Sequence, residues 1–322
     1  MMTSRERVAR ALNHQEPDRV PLDLGASATT GMQVSAVYLL RQALRLDPPG
    51  TPVKVIEPYQ MLGEIKPDLM EALGVDVVSL PGPRTMFGFP NQGWKPWTLF
   101  DGTPVLVPEA FNTDPEPDGS ILMCPEGDRA VPPSARMPKA GFYFDSLTRQ
   151  PPIDESKLNP ENNLEEFGPI SDADLAYFER EAKRLHQETD KAILANFGGS
   201  AFGDIALVPA PWLKHPKGIR AVDEWYMSTV TRRDYVFRVF ERQCVIALAN
   251  LEKIYRVGGD RVTAVFTTGT DFGMQTGTFI SPRAYRDLYQ PFHQEINNWI
   301  HKHTAWKSFI HSCGSVWALL PY

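Results

Sequence analysis

The sequence predicts an α/β fold, and three observations carry that prediction. From residue 171 onward, short apolar runs of strand length alternate with amphipathic runs of helix length. Glycines or a Ser-Pro start punctuate the changes. Between residues 81 and 150 the rhythm breaks into a proline-rich, β-prone stretch, an irregular excursion within the main fold. Alternation of this kind argues for a parallel sheet with helical crossovers.

Taken in order, Thr3-Ser-Arg-Glu6 has the spacing of a capping box and opens a helix through Leu12. Residues 20–24 read as a short strand ending at Gly25. Residues 32–46 and 60–73 carry helical spacing, and Gly74 stops the second helix. Residues 76–80 form a buried-type strand. Within residues 94–107, Asp101-Gly102 separates two β-prone runs, a hairpin signal. Residues 121–124 and 141–144 extend it into a small antiparallel sheet.

Ser171-x-x-Asp174 then begins a helix to about residue 190, and residues 192–197 form a buried strand before Gly198-Gly199. A long helix over 232–256 places Val236, Phe240, Ala247, Leu251 and Ile254 on one stripe. Gly258-Gly259 ends it, and residues 262–266 are the next strand. Ser281-Pro282 supplies an N-cap and a first-turn proline. That helix runs to about residue 303, and residues 307–311 are the fifth strand.

Composition narrows the function. The chain has 322 residues, 42% apolar and 22% charged, as in a globular protein. Its net charge of −6 disfavours nucleic acid as the main partner, since phosphate binding needs a basic surface. No apolar run approaches a membrane span, and the N-terminus lacks the apolar core of a signal peptide. Cys124, Cys244 and Cys313 have no framework spacing, so a reducing cytoplasm is the expected setting.

The residues with the most chemical content close the fifth strand. His311 and Cys313 are two apart, so on a strand they project to the same face, and Gly314 allows a sharp turn after them. An imidazole beside a thiol suits zinc. The competing reading is a buried histidine next to a small buried cysteine. A second candidate is the stretch after strand 262–266. There Asp271 has the chemistry of a general acid or base, a metal-shell carboxylate or a substrate anchor, and Gln275 that of a substrate-orienting amide. A polar turn with Asp271 capping backbone amides is the alternative. Asn196 and Asp23 also fall at strand ends; for Asn196 a turn role stands beside a substrate-binding one, and for Asp23 a buried hydrogen-bonded carboxylate does.

Three segments together resemble the uroporphyrinogen decarboxylase superfamily, and within it the cobalamin-dependent methyltransferases. They are Thr3-Ser-Arg-Glu-Arg-Val8 with Glu16-Pro-Asp-Arg-Val-Pro21, the run from Asp271 to Pro282, and His311-Ser-Cys-Gly-Ser315. The last matches the His-x-Cys zinc half-motif of that branch. The resemblance extends over essentially the whole chain. It implies one TIM-barrel-like (β/α)8 domain spanning residues 1–322, cut after about five strands, with 81–150 as the excursion. It also implies zinc held by His311 and Cys313, with Asp271 catalytic and Gln275, Asp23 and Asn196 lining the substrate cleft. Cobalamin would arrive on a separate corrinoid protein, and the expected reaction is methyl transfer between that partner and a small donor or acceptor.

The pattern departs from the family twice. Arg19-Val-Pro21 is followed by Leu-Asp-Leu-Gly-Ala-Ser, without the arginines that grip substrate carboxylates in the decarboxylase. Decarboxylation of a tetrapyrrole or other acid is therefore the second expectation. The branch also takes a further zinc ligand from a strand well downstream, and the sequence ends at Tyr322 before it. A non-catalytic fragment with open sheet edges is the third expectation.

Overall fold

A computed structural model describes residues 2–197 and 199–322. Gly198, half of the expected Gly-Gly stop, lies outside the described residues. The chain is a mixed α/β protein that divides into two compact units. The first takes the chain up to Leu147 together with Arg184–Leu194 and Pro211–Lys214. The second takes Thr148–Lys183, Ala195–Ala210 and His215–Tyr322.

The first unit opens with α1 (Ser4–Leu12). Its capping box is reciprocal: Glu6 N–H donates to Thr3 Oγ1 at 3.2 Å, and Thr3 N–H donates to Glu6 Oε2 at 2.9 Å. The expected strand over 20–24 does not form. Pro21 has no N–H to give a ladder. Leu22 instead donates to the carboxylate of Asp76 and accepts from the Asp76 N–H. Asp76 is fully buried, and the guanidinium groups of Arg7 and Arg19 also hold it.

α2 (Val34–Ala43) falls inside its expected range, but β1 (Val53–Glu57) was not anticipated. The expected helix over 60–73 is two elements, β2 (Leu62–Gly63) and α3 (Pro67–Leu73). Proline disfavours helical backbone in the residue before it, so the helix starts only at Pro67. Gly74, at φ +68, ends α3 in the left-handed conformation. β3 (Val77–Leu80) follows. β4 (Lys95–Thr98) and β5 (Pro104–Val107) are the expected antiparallel hairpin, and β1 runs parallel to β5. The small sheet is built from β6 (Ile121–Met123), β7 (Ala135–Met137) and β8 (Asp145–Ser146), all antiparallel. Residues 141–144 are not one of its strands, because Gly141 N–H turns back to Pro138 O. Val55, Leu69, Phe87, Val105 and Phe144 meet in the core of this unit.

α4 (Asp172–Glu188) leads to β9 (Ala192–Ala195), which is buried throughout and lies next to β3. The second unit contains α5 (Val222–Thr231) and α6 (Arg233–Gly258), then β10 (Ala264–Thr268). α7 (Pro282–Leu288), α8 (Gln290–His303) and β11 (Lys307–Ile310) follow. α5 had no clear signal. The single helix expected over 281–303 is broken at Tyr289, because Pro291 lacks the N–H that would continue the ladder. Phe202, Trp225, Phe240, Tyr289 and Phe292 fill the core between these helices.

β10 and β11 are parallel neighbours, with Ala264 opposite Lys307 and Phe266 opposite Phe309. β11 is an edge strand. The sheets are open, and no closed barrel is present among the described residues. Among those residues no helix is long and apolar enough to cross a membrane.

Candidate metal centre

The C-terminal ends of β10 and β11 face the same way because the strands are parallel. After β10 the chain makes a tight polar turn. Thr270 is fully buried, and its hydroxyl bonds to Thr268 Oγ1 and to the carbonyls of Ala201 and Phe202. This fixes the backbone just before Asp271. On the other side, Tyr226 of α5 donates its hydroxyl to Asp271 O. The main chain at Asp271 is thus held from both flanks, leaving its carboxylate to face the loop after β11.

That loop is stitched to the turn by backbone. His311 N–H donates to Thr268 O at 2.9 Å, Gly273 N–H to Cys313 O at 3.1 Å, and Ser315 N–H to Met274 O at 2.8 Å. Phe272 N–H is taken up by Ser312 Oγ at 2.9 Å. Two glycines permit the crossing. A Cβ on Gly273 would lie 2.5 Å from Cys313 O, and one on Gly314 would collide with the backbone of Gly273. Gly314 also adopts φ +76, a region that side chains strain to reach.

The crossing brings together Asp271, His311 and Cys313, each offering one donor atom within 4.8 Å of the others. Cys313 Sγ is 3.3 Å from His311 Nε2, and His311 Nε2 is 3.6 Å from Asp271 Oδ1. Asp271 Oδ1 also accepts the Cys313 N–H at 2.6 Å. Strand geometry is not what aligns the pair, as the sequence suggested, because β11 ends at Ile310 and both residues follow it. Cys313 is exposed, and His311 and Asp271 are partly buried, so the cluster opens to solvent.

These donors suit zinc. Tetrahedral zinc with bonds of about 2.0–2.3 Å puts neighbouring ligand atoms roughly 3.3–3.6 Å apart. Nitrogen, thiolate and carboxylate are its ordinary partners, and three protein ligands leave a fourth position open for chemistry. The Cys313 thiol is held above its usual range by burial, with the charges of Asp271 and Asp204 adding to the effect. Carboxylate charge beside a neutral thiol makes a site that a cation relieves.

Gln275, Asp23 and Asn196 are not among these three donors. Gln275 is exposed at the tip of the turn after Asp271. Asp23 belongs to the first unit, where its carboxylate accepts the Ala26 N–H at 3.1 Å and burial raises its pKa. Asn196 is exposed just past β9. Two groups around the cluster escaped the sequence reading. Tyr226 sits on the unanticipated α5, and burial, more than any neighbouring charge, keeps its phenol protonated. Asp204 follows Gly203 in an irregular loop, and burial pushes its carboxyl up to about 7, with the Asp271 charge adding. The Gly203-Asp204 pair after a buried strand was the only sequence signal for it.

No family model, no curated protein and no solved structure matches this chain.

Proposed function

We propose that this chain is an enzyme of zinc-assisted methyl transfer, moving a methyl group between a small donor or acceptor and a corrinoid protein. The observation that carries the reading is the meeting of Cys313 Sγ, His311 Nε2 and Asp271 Oδ1 at 3.3 and 3.6 Å. The methyl-transfer part comes from the resemblance of His311-Ser-Cys-Gly-Ser315 and its companion segments to the cobalamin-dependent methyltransferases. The three donors stand at the ends of adjacent parallel strands, where a (β/α)8 barrel of that type gathers its active groups.

His311 and Cys313 would hold the zinc, with Asp271 as a third ligand. When bound, zinc withdraws electron density from a thiol or ether at its open position. Cys313 gives up its proton on ligation. Asp271 is kept on station by the Cys313 N–H, and Tyr226, holding its own proton, fixes the Asp271 backbone. Decarboxylation draws no support from the arginines, since Arg7 and Arg19 both engage Asp76.

The test is to supply the zinc-loaded chain with reduced free cobalamin and, separately, methanol, methylamine, methanethiol and a methoxyphenol. One donor class should methylate the corrinoid, and His311→Ala with Cys313→Ala should abolish the transfer. Failure of every donor would remove the methyltransferase reading.

A further inference from the structure

His311 and Cys313 are separated by a residue whose side chain reaches the neighbouring loop. Ser312 Oγ accepts the Phe272 N–H at 2.9 Å and donates to Cys313 O at 3.3 Å. A hydroxyl that both accepts and donates has its orientation fixed. The bond to Phe272 is half of a reciprocal pair. Cys313 N–H donates to the Asp271 carboxylate at 2.6 Å, so each loop gives one N–H to a side chain of the other. Beside these two bonds, Gly273 N–H donates to Cys313 O at 3.1 Å.

The two loops differ in what holds them to the protein. Phe272 is buried, and its ring packs edge-on against Tyr285 and Tyr289 with centroids 5.3 and 5.0 Å away. Close packing of that kind fixes the backbone that carries the ring. Cys313, Gly314 and Ser315 are exposed, so hydrogen bonds rather than packing place the thiol. His311 is tied separately, through its own N–H to Thr268 O at 2.9 Å. Ser312 is thus a direct link between the buried Phe272 and the stretch of chain that carries both ligands.

We propose that Ser312 is a positioning residue of the metal centre. Its hydroxyl hangs the ligand-bearing loop on the Phe272 backbone and so sets the 3.3 Å separation of Cys313 Sγ and His311 Nε2. This rests on the zinc reading of Asp271, His311 and Cys313. Groups that orient ligands without touching the metal are typically worth about 10–100-fold in its affinity. A serine that only satisfies a loop amide would matter to folding alone.

Cobalt(II) titration of wild type, Ser312→Ala, Ser312→Thr and Thr304→Ala separates the two. Thr304 is the matched control at the other end of β11. Its hydroxyl also accepts an N–H, from Trp306 at 3.0 Å, and donates to a carbonyl, Ile300 O at 2.7 Å. Ser312→Ala keeps every donor atom and should bind cobalt about 10–100-fold more weakly, with its ligand-field absorption shifted. Ser312→Thr retains the hydroxyl and should restore both. Thr304→Ala should lower the melting temperature and leave cobalt affinity and spectrum unchanged. Wild-type affinity and absorption in Ser312→Ala would overturn the proposal while leaving the metal centre standing. So would a loss that Thr304→Ala shares or that Ser312→Thr fails to reverse. A wild type that binds no cobalt would end both readings. Without metal, hydrogen exchange of the Phe272 amide should quicken in Ser312→Ala and not in Thr304→Ala. Exchange at the wild-type rate in Ser312→Ala would also overturn the proposal.

Discussion

Gly273 and Gly314 cross with their backbones in contact, and neither position has room for a side chain. Gly273 N–H donates to Cys313 O at this crossing. The loop after β10 and the loop after β11 therefore meet glycine to glycine, and the three donor atoms depend on that contact. Gly314→Ala should combine backbone strain of about 1–3 kcal/mol with a collision against Gly273. Melting temperature and metal affinity should both fall. Gly50→Ala is the matched control, since Gly50 also has a positive φ of +83 but nothing within 4 Å of the added carbon. It should cost stability without changing metal affinity. Equal metal affinity in both variants would show that the crossing does not shape the site.

Cys313 is exposed while Cys124 and Cys244 are buried. Iodoacetamide should therefore label Cys313 alone in the native protein. Without metal the reaction at pH 7.5 should be slower than for a free thiol, because partial desolvation of the sulfur and nearby carboxylate charge disfavour the thiolate. Asp271→Asn removes one of those charges and should speed labelling. Saturating zinc should block it. Mass spectrometry of the labelled peptides reads all three outcomes.

His293 and Asp204 should tilt stability in opposite directions with pH. His293 is buried among Phe202, Phe272 and Tyr289, and burial lowers its pKa from 6.5 to about 4. The unfolded chain then binds the extra proton, so stability is lost as pH falls from about 6.5 toward 4. Asp204 works the other way: its folded pKa is raised, so stability is lost as pH rises from about 4 toward 7. Each effect amounts to at most about 4–5 kcal/mol. Urea titrations should show stability rising more steeply with pH in Asp204→Asn than in wild type. They should show it falling with pH in His293→Leu. Parallel curves for all three proteins would contradict both assignments.

Local signals carried much of the fold. The Thr3/Glu6 box, the Asp101-Gly102 hairpin, the apolar stripe of α6 and the Ser281-Pro282 helix start are each written in a few neighbouring residues. What was misread depended on a single proline or on distant partners. Pro21 prevents a strand, Pro67 delays a helix and Pro291 splits one. β1 and β7 owe their pairing to strands some 50 and 14 residues away in sequence. At the site, the His-x-Cys spacing was legible because both residues lie in one loop. Asp271 was visible as a polar residue after a strand, but its distance to His311 follows only from the parallel pairing of β10 and β11. Asp204 was hidden because its surroundings come from Gly269 and Asp271, more than sixty residues further on.

Cobalt(II) titration followed by absorption tests the metal centre most directly, because a thiolate-to-cobalt charge-transfer band reports the Cys313 bond itself. The account predicts one cobalt per chain, displaced by zinc. The charge-transfer band should vanish in Cys313→Ser, and binding should weaken sharply in His311→Ala and Asp271→Ala. No charge-transfer band in the wild type, or an unchanged band in Cys313→Ser, would contradict the assignment of Asp271, His311 and Cys313 as a zinc site.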